Sequence, residues 1–203
     1  MKRENYHFHL ELTPELAYRL GRAAALYFGE GGTARPEILI GRDTRISGPM
    51  FVSALAAGIC SAGGHAVIAG VIPTPAIACL AKKHRMAAGI VVSASHNPFG
   101  DNGIKFFGGD GYKLPDEVED EIENIVRRLA EEDDFYRPVG PSVGSLNYRK
   151  DLLEEYIDYV LSTTDTRLDG LKIVLDCANG AAYEAMPTIL KSLGAELVVI
   201  HDE

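Results

Sequence analysis

Ser95, His96 and Asn97 stand together in Ser93-Ala94-Ser95-His96-Asn97-Pro98, and Lys105 follows in Asp101-Asn102-Gly103-Ile104-Lys105. A serine beside a histidine suggests an activated hydroxyl. Acyl transfer, however, needs a histidine oriented by a carboxylate, for which this stretch offers no recognisable place, and the Gly-x-Ser-x-Gly elbow is absent. The other chemistry open to the hydroxyl is to accept and donate a phosphoryl group, which requires nearby cations and a proton donor and acceptor. Lys105 lies across the loop and suits either role, while Arg42 and Arg45, at the end of another strand, are expected to approach from the side. The plainer alternative is that Asn97, Asp101 and Asn102 only stabilise a turn through side-chain to backbone hydrogen bonds.

The loop must be held by the elements around it. Gly89 to Val92 reads as a buried strand, and Ile104 to Phe107 as a short apolar strand that resumes after the polar residues. Upstream, Tyr6 to Leu10 alternates like a strand, with His7 and His9 on its outer side. Thr13-Pro14 opens a helix reaching about Phe28, with a turn over Gly29 to Pro36. Glu37 to Gly41 is a strand that delivers Arg42-Asp43-Thr44-Arg45 at its carboxyl end, where ligands bind in open α/β sheets. Ser47-Gly48-Pro49 starts a helix whose Phe51, Leu55 and Ile59 face a core. Its small residues Ala54, Ala57, Gly58 and Ala62 are expected to let it lie close against a sheet.

Gly63-Gly64 ends that helix, His65 to Ala69 is a strand, and Pro73-Thr74-Pro75 opens a short helix to about His84. A tight turn at Gly108 to Gly111 leads to a helix from Pro115-Asp116, with Val118, Ile122, Ile125 and Leu129 inward and a solvated acidic face outward. Asp133 to Gly144 loses periodicity and reads as a domain boundary, dividing the chain into residues 1–140 and 145–203. Beyond it a helix is expected from about Asn147 to Leu161, with Leu153, Tyr156, Ile157 and Val160 as core residues. A strand from Leu171 to Asp176, a turn at Cys177 to Gly180, a helix from Ala182 to Leu193 and a strand from Glu196 to Ile200 follow. The predicted fold is α/β: a three-layer α/β/α first domain with a mixed sheet, then an incomplete second α/β domain. Two parallel strands have little core of their own, so the sequence reads as a piece of a longer protein.

Composition narrows the partners. The 203 residues are 46% hydrophobic and 24% charged, with a formal charge of −9. That balance argues against nonspecific binding to nucleic acid or an anionic membrane, which needs clustered Lys and Arg. No run reaches the roughly 18 apolar residues of a membrane span, and Met1 to Leu10 lacks the apolar core of a signal peptide, so a cytoplasmic location is expected. Cys60, Cys79 and Cys177 show no metal-ligand spacing and read as reduced core residues. His65 reads as structural, His84, beside Lys82, Lys83 and Arg85, as a surface helix end, and Tyr27, Phe28, Phe106 and Phe107 as core aromatics.

The loop from Ser93 to Lys105 resembles the phosphoserine loop of the α-D-phosphohexomutases. Gly41-Arg42-Asp43-Thr44-Arg45-Ile46-Ser47-Gly48, Pro73-Thr74-Pro75, Gly108 through Leu114 and Asp176-Cys177-Ala178-Asn179-Gly180 extend the resemblance over nearly the whole chain, within the family most like the bacterial phosphoglucosamine mutases. The resemblance implies that Ser95 is a phosphoserine exchanging its phosphoryl group with a phosphorylated hexosamine through a hexosamine bisphosphate. It implies that Lys105 serves proton transfer and charge stabilisation, that His96 and Asn97 shape the loop, and that an oxygen of the Ser95 phosphate binds Mg²⁺ in the full-length enzyme. A homodimer is also compatible with it.

The departures limit the expectation. The glycine-rich segment that supplies an active-site arginine in the family has no counterpart around Arg3 to His9, and the Asp-x-Asp-x-Asp-Arg metal loop is absent. Asp101, Asp110 and Asp176 match other segments and do not replace it. The isolated chain is therefore expected to be inactive. A phosphomannomutase or phosphoglucomutase fragment, or a noncatalytic module that keeps the fold, is the alternative reading.

Overall fold

The computed structural model describes residues 12–30, 35–131 and 137–202. The strand expected at Tyr6 to Leu10 lies outside the described residues, as do parts of the segments read as the turn at Gly29 to Pro36 and as the domain boundary. Thr13 caps α1 (Pro14–Glu30) as the sequence predicts: its hydroxyl accepts a hydrogen bond from the Leu16 amide at 3.2 Å. β1 (Glu37–Arg42), α2 (Gly48–Ser61), β2 (His65–Val71), α3 (Thr74–Lys83), β3 (Ala88–Val92), β4 (Ile104–Gly108) and α4 (Asp116–Glu131) follow in order.

The main sheet has the order β4-β3-β1-β2-β5, where β5 is Leu146–Tyr148. β1 pairs in parallel with β2 and β3, β2 in parallel with β5, and β4 runs antiparallel to β3. Alternation along each strand divides the core in two. Ile38 and Ile40 of β1 join Ile90 of β3 under α1, α2 and α4, whereas Leu39 and Val91 face α3 on the other side. The architecture is the expected three-layer α/β/α with a mixed sheet.

Its most informative feature is the place of β1 between β2 and β3. After β1 the chain crosses toward β2, and after β3 it turns the opposite way to β4. The carboxyl ends of two adjacent strands thus send their loops apart and open a crevice between them. Arg42 pairs with Val92 at that point, and the Asp43 amide donates to the Val92 carbonyl at 3.0 Å, carrying the ladder into the loops.

Three expectations need correction. Residues 146–148 form a strand, not the start of a helix, and α5 begins at Leu152 (Leu152–Ser162). The Ala66 amide donates to the Ser145 carbonyl at 2.9 Å and the Arg149 amide to the Ile68 carbonyl at 2.9 Å, so these residues complete the exposed edge of β2 before the chain turns helical. Second, Gly58 does not face the sheet. A β-carbon there would stand 2.0 Å from the Tyr18 carbonyl oxygen, and one at Gly21 would stand 2.1 Å from that of Leu55; the small residues allow α1 and α2 to touch backbone to backbone, and Ala57 is exposed. Third, the cysteines are free but only half-buried.

β6 (Lys172–Asp176), α6 (Ala185–Ser192) and β7 (Glu196–Ile200) form the second α/β unit with α5, and β6 pairs with β7 in parallel. α6 starts later than the sequence reading because Pro187 is tolerated only in a first helical turn. Leu152, Leu153 and Ile157 of α5 and Ala185 and Ile189 of α6 join α3 in the second core cluster. Tyr27 and Phe28 meet edge to face at 5.0 Å, and His65 Nδ1 lies 2.6 Å from Ser145 Oγ, a structural contact as expected.

Candidate active site

The crevice between β1 and β3 brings Arg42 and Arg45 beside the loop that carries Ser95, His96 and Asn97. Ser95 is exposed and adopts φ 58°, the left-handed region that costs an L-residue about 1–2 kcal/mol. Such a conformation persists only where its surroundings over-determine it. Here they do. The Ser95 amide donates to Ser93 Oγ at 3.1 Å, the Asn97 amide to the Ala94 carbonyl at 3.2 Å, and the Asp101 amide to the Pro98 carbonyl at 3.0 Å. Where the loop rejoins the sheet, the Ser93 amide donates to the Gly103 carbonyl at 2.8 Å. A β-carbon at Gly103 would come within 2.9 Å of the Ser93 oxygen, which restricts the position to glycine.

Arg45 braces the turn from beneath. One guanidinium nitrogen donates to the carbonyl of Asn97 at 2.7 Å and lies 3.4 Å from those of Ser95 and Pro98; the other forms a 2.7 Å ion pair with Asp43. The remaining Asp43 oxygen accepts the Arg45 amide at 3.1 Å, so the carboxylate holds both the backbone and the side chain of the same residue. Arg45 Nε is buried with no hydrogen-bond partner among the described residues, a cost of about 1–3 kcal/mol that the other bonds must offset.

Arg42 is placed differently. It lies over Gly48, donates to the Asp43 carbonyl at 2.9 Å, and makes no ion pair among the described residues. Ser47, at the start of α2, gives its hydroxyl to Asn102 Oδ1 and not to the helix terminus, which ties the two loops a second time. Thr44 donates to the carbonyl of Asn179, joining the loop after β1 to the turn after β6.

Lys105 sits opposite Val91 on β4, exposed, with no hydrogen bond or ion pair among the described residues. His96 is likewise exposed and without such a partner, and the Ser95 hydroxyl makes no hydrogen bond among them. The hydroxyl, the imidazole and the ammonium are therefore uncommitted, whereas the Arg45 charge is spent on Asp43 and the turn.

Sequence reasoning missed the roles of Asp43, Ser47 and Ser93. The Asp-x-Arg spacing at 43–45 was the available signal for the first, since an aspartate readily caps an amide two residues on. Asn102, a turn stabiliser in the plainer alternative, accepts from Ser47. The carboxylates do not fit the octahedral Mg²⁺ site the resemblance implies. Asp43 is engaged by Arg45, Asp110 by the Tyr112 amide, and Asp176 by the Ala178 amide and His201. Among the described residues no three His, Cys, Asp or Glu side chains are grouped to hold a metal.

Comparison with known proteins bears on the fold and the family. The sequence profile of the phosphoglucomutase/phosphomannomutase family, alpha/beta/alpha domain I, matches residues 3–133. The chain is 54% identical over 190 residues to a phosphoglucosamine mutase of Desulforamulus reducens, covering 94% of this chain and 42% of that protein. It is 53% identical over 192 residues to one of Moorella thermoacetica, covering 94% and 42%. A crystal structure of a phosphoglucomutase/phosphomannomutase family protein from Burkholderia thailandensis has a TM-score of 0.78 at 28% identity, over 97% of this chain and 42% of that one. The chain thus spans less than half the length of these relatives. No helix among the described residues is long and apolar enough to cross a membrane. With its α/β/α sheet, its loop at the β1–β3 crevice and a family match over residues 3–133, the chain belongs to the phosphoglucomutase/phosphomannomutase family.

Proposed function

We propose that the chain is part of a cytoplasmic phosphoglucosamine mutase and carries its phosphoryl-transferring serine, Ser95. The observation that bears most weight is that Ser95 stands exposed at the apex of a braced left-handed turn, with its hydroxyl unengaged among the described residues. The phosphoryl group leaves Oγ for a hydroxyl of glucosamine 6-phosphate. The bond to Oγ breaks as the bond to the sugar oxygen forms, and the hydroxyl proton passes to a base. The resulting bisphosphate reorients, and its other phosphoryl group returns to Ser95, releasing glucosamine 1-phosphate for amino-sugar and peptidoglycan precursor synthesis.

Lys105 and Arg42 carry positive charge free of ion pairs among the described residues, and Lys105 is suited to stabilising the transferring group or moving the proton. His96 and Asn97 shape the turn. A phosphorylated Ser95 offers Mg²⁺ one oxygen, with the remaining ligands supplied by the rest of the whole protein. The chain's limited coverage of its relatives supports the further reading that these 203 residues alone do not turn over. The decisive measurement is the intact mass of the full-length protein after incubation with glucosamine 1,6-bisphosphate. A phosphate mapped to Ser95 and lost in Ser95→Ala is expected. No phosphate on the wild-type protein, or one that survives Ser95→Ala, overturns the reading.

A further inference from the structure

An arginine beside a phosphate-carrying serine would ordinarily be taken as a phosphate ligand. Arg45 is not available for that. Its side chain is 11% exposed, one nitrogen is held by Asp43 at 2.7 Å, and another is surrounded by the carbonyls of Ser95, Asn97 and Pro98. The consequence lies on the far side of those peptides. In a trans peptide the N–H points opposite to the C=O, and there are no cis peptides among the described residues. Drawing the Ser95 and Pro98 carbonyls toward Arg45 therefore turns the amides of His96 and Phe99 away from it. Neither amide donates to another backbone group among the described residues, whereas those of Asn97 and Asp101, in the same turn, do.

We infer that Arg45, locked by Asp43, is a positioning residue that holds the Ser95 turn so that the His96 and Phe99 amides face outward as donors to the phosphoryl group on Ser95. This rests on the proposed role of Ser95 as phosphoryl carrier. Arg45 touches neither sugar nor phosphate; it acts through two peptide planes. Fixed backbone donors of this kind favour the extra charge of a transferring group without reorganising during the reaction. A lysine cannot replace it, because a single ammonium does not span both Asp43 and the three carbonyls.

The test uses the full-length protein with glucosamine 6-phosphate as substrate and glucosamine 1,6-bisphosphate as the charging agent. Arg45→Ala is expected to lower kcat about 100-fold, as for a misplaced reacting group, and to leave KM within about twofold. Added guanidinium ion at millimolar concentration should restore about tenfold of that loss, and the phosphorus resonance of phosphorylated Ser95 should move. Arg45→Lys keeps the charge and the Asp43 pair, so it decides the matter if the alanine variant does not fold; about a tenfold loss in kcat is expected with an unchanged melting temperature. A kcat within twofold of wild type, a KM that rises in step with the loss, or a loss that guanidinium leaves in place with the resonance unmoved overturns the inference. A wild-type protein that takes no phosphate on Ser95 overturns the phosphoserine reading and this inference together; a phosphorylated wild type with unaffected Arg45 variants overturns this inference alone.

Discussion

His84 Nε2, at the end of α3, lies 2.9 and 3.0 Å from the two carboxylate oxygens of Glu155 in α5. Lys83 reaches the same carboxylate at 2.8 Å, and Arg149 stands 4.0 Å from it, so three basic groups converge on one acid between the first sheet's helix layer and the second unit. Burial pushes the Glu155 carboxyl up, but the hydrogen bonds and charges of Lys83 and His84 outweigh it, and its pKa falls below the ordinary 4.5. A lowered folded-state pKa contributes stability above the unfolded value, and the contribution is lost as pH falls through the folded one. Glu155→Gln is accordingly expected to reduce stability by about 0.5–1 kcal/mol at pH 7. In urea titrations the gap from wild type should begin to narrow as pH falls below the ordinary 4.5 and vanish once the Glu155 carboxyl is protonated in the folded state; a gap that does not narrow with falling pH would show that the ion pairs are not its source.

Ser95 offers a separate test through its backbone. Glycine enters the left-handed region without the penalty an L-residue pays, so Ser95→Gly should be more stable than Ser95→Ala by about 1 kcal/mol. Both remove the hydroxyl, and both should abolish phosphate incorporation. Equal denaturation midpoints for the two variants would mean that φ 58° is not retained in solution.

Gly58→Ala tests the contact between α1 and α2. With the β-carbon 2.0 Å from the Tyr18 carbonyl, the helices must move apart. Destabilisation of about 1–3 kcal/mol is expected, read as a lower melting temperature with unchanged helix content. Ala57→Ser, on the exposed side of the same helix, should leave the melting temperature unaltered.

Lys105→Gln in the full-length protein keeps a polar side chain, shorter by one atom, and removes the charge. If Lys105 stabilises the transferring phosphoryl group, kcat should fall about 100-fold or more while Ser95 still takes up phosphate slowly. An unchanged kcat would assign Lys105 to solvation of an edge strand.

What the sequence revealed follows the range of the interactions involved. Pattern identified α1, α2 and β1 to β4 because each carries its own signal: the helices bury one face, and β1 to β3 are short apolar runs buried on both sides of the sheet. β5 escaped, since three residues with none buried carry no readable period, and only the open edge of β2 explains them. Gly58 was recognised as small, but nothing local says which neighbour it meets. At the site, Ser95, His96, Asn97 and Lys105 were conspicuous through residue type and clustering. The bracing by Asp43, Arg45, Ser47 and Asn102 was hidden because it depends on β1 and β3 being neighbours, a fact of strand order that no stretch of sequence carries by itself.

The late arrival of β5 bears on how the protein can be divided. The family match ends at residue 133, and a gene cut there would leave β2 with a bare ladder of apolar residues, Ala66 to Ile68, ready to pair with any strand it meets. Carried through Arg149, whose amide reaches the Ile68 carbonyl, the same piece would close that ladder with a strand of only three residues, too short to serve as a good template. Expression trials and split-protein reporters built on this chain should place their junction after that arginine.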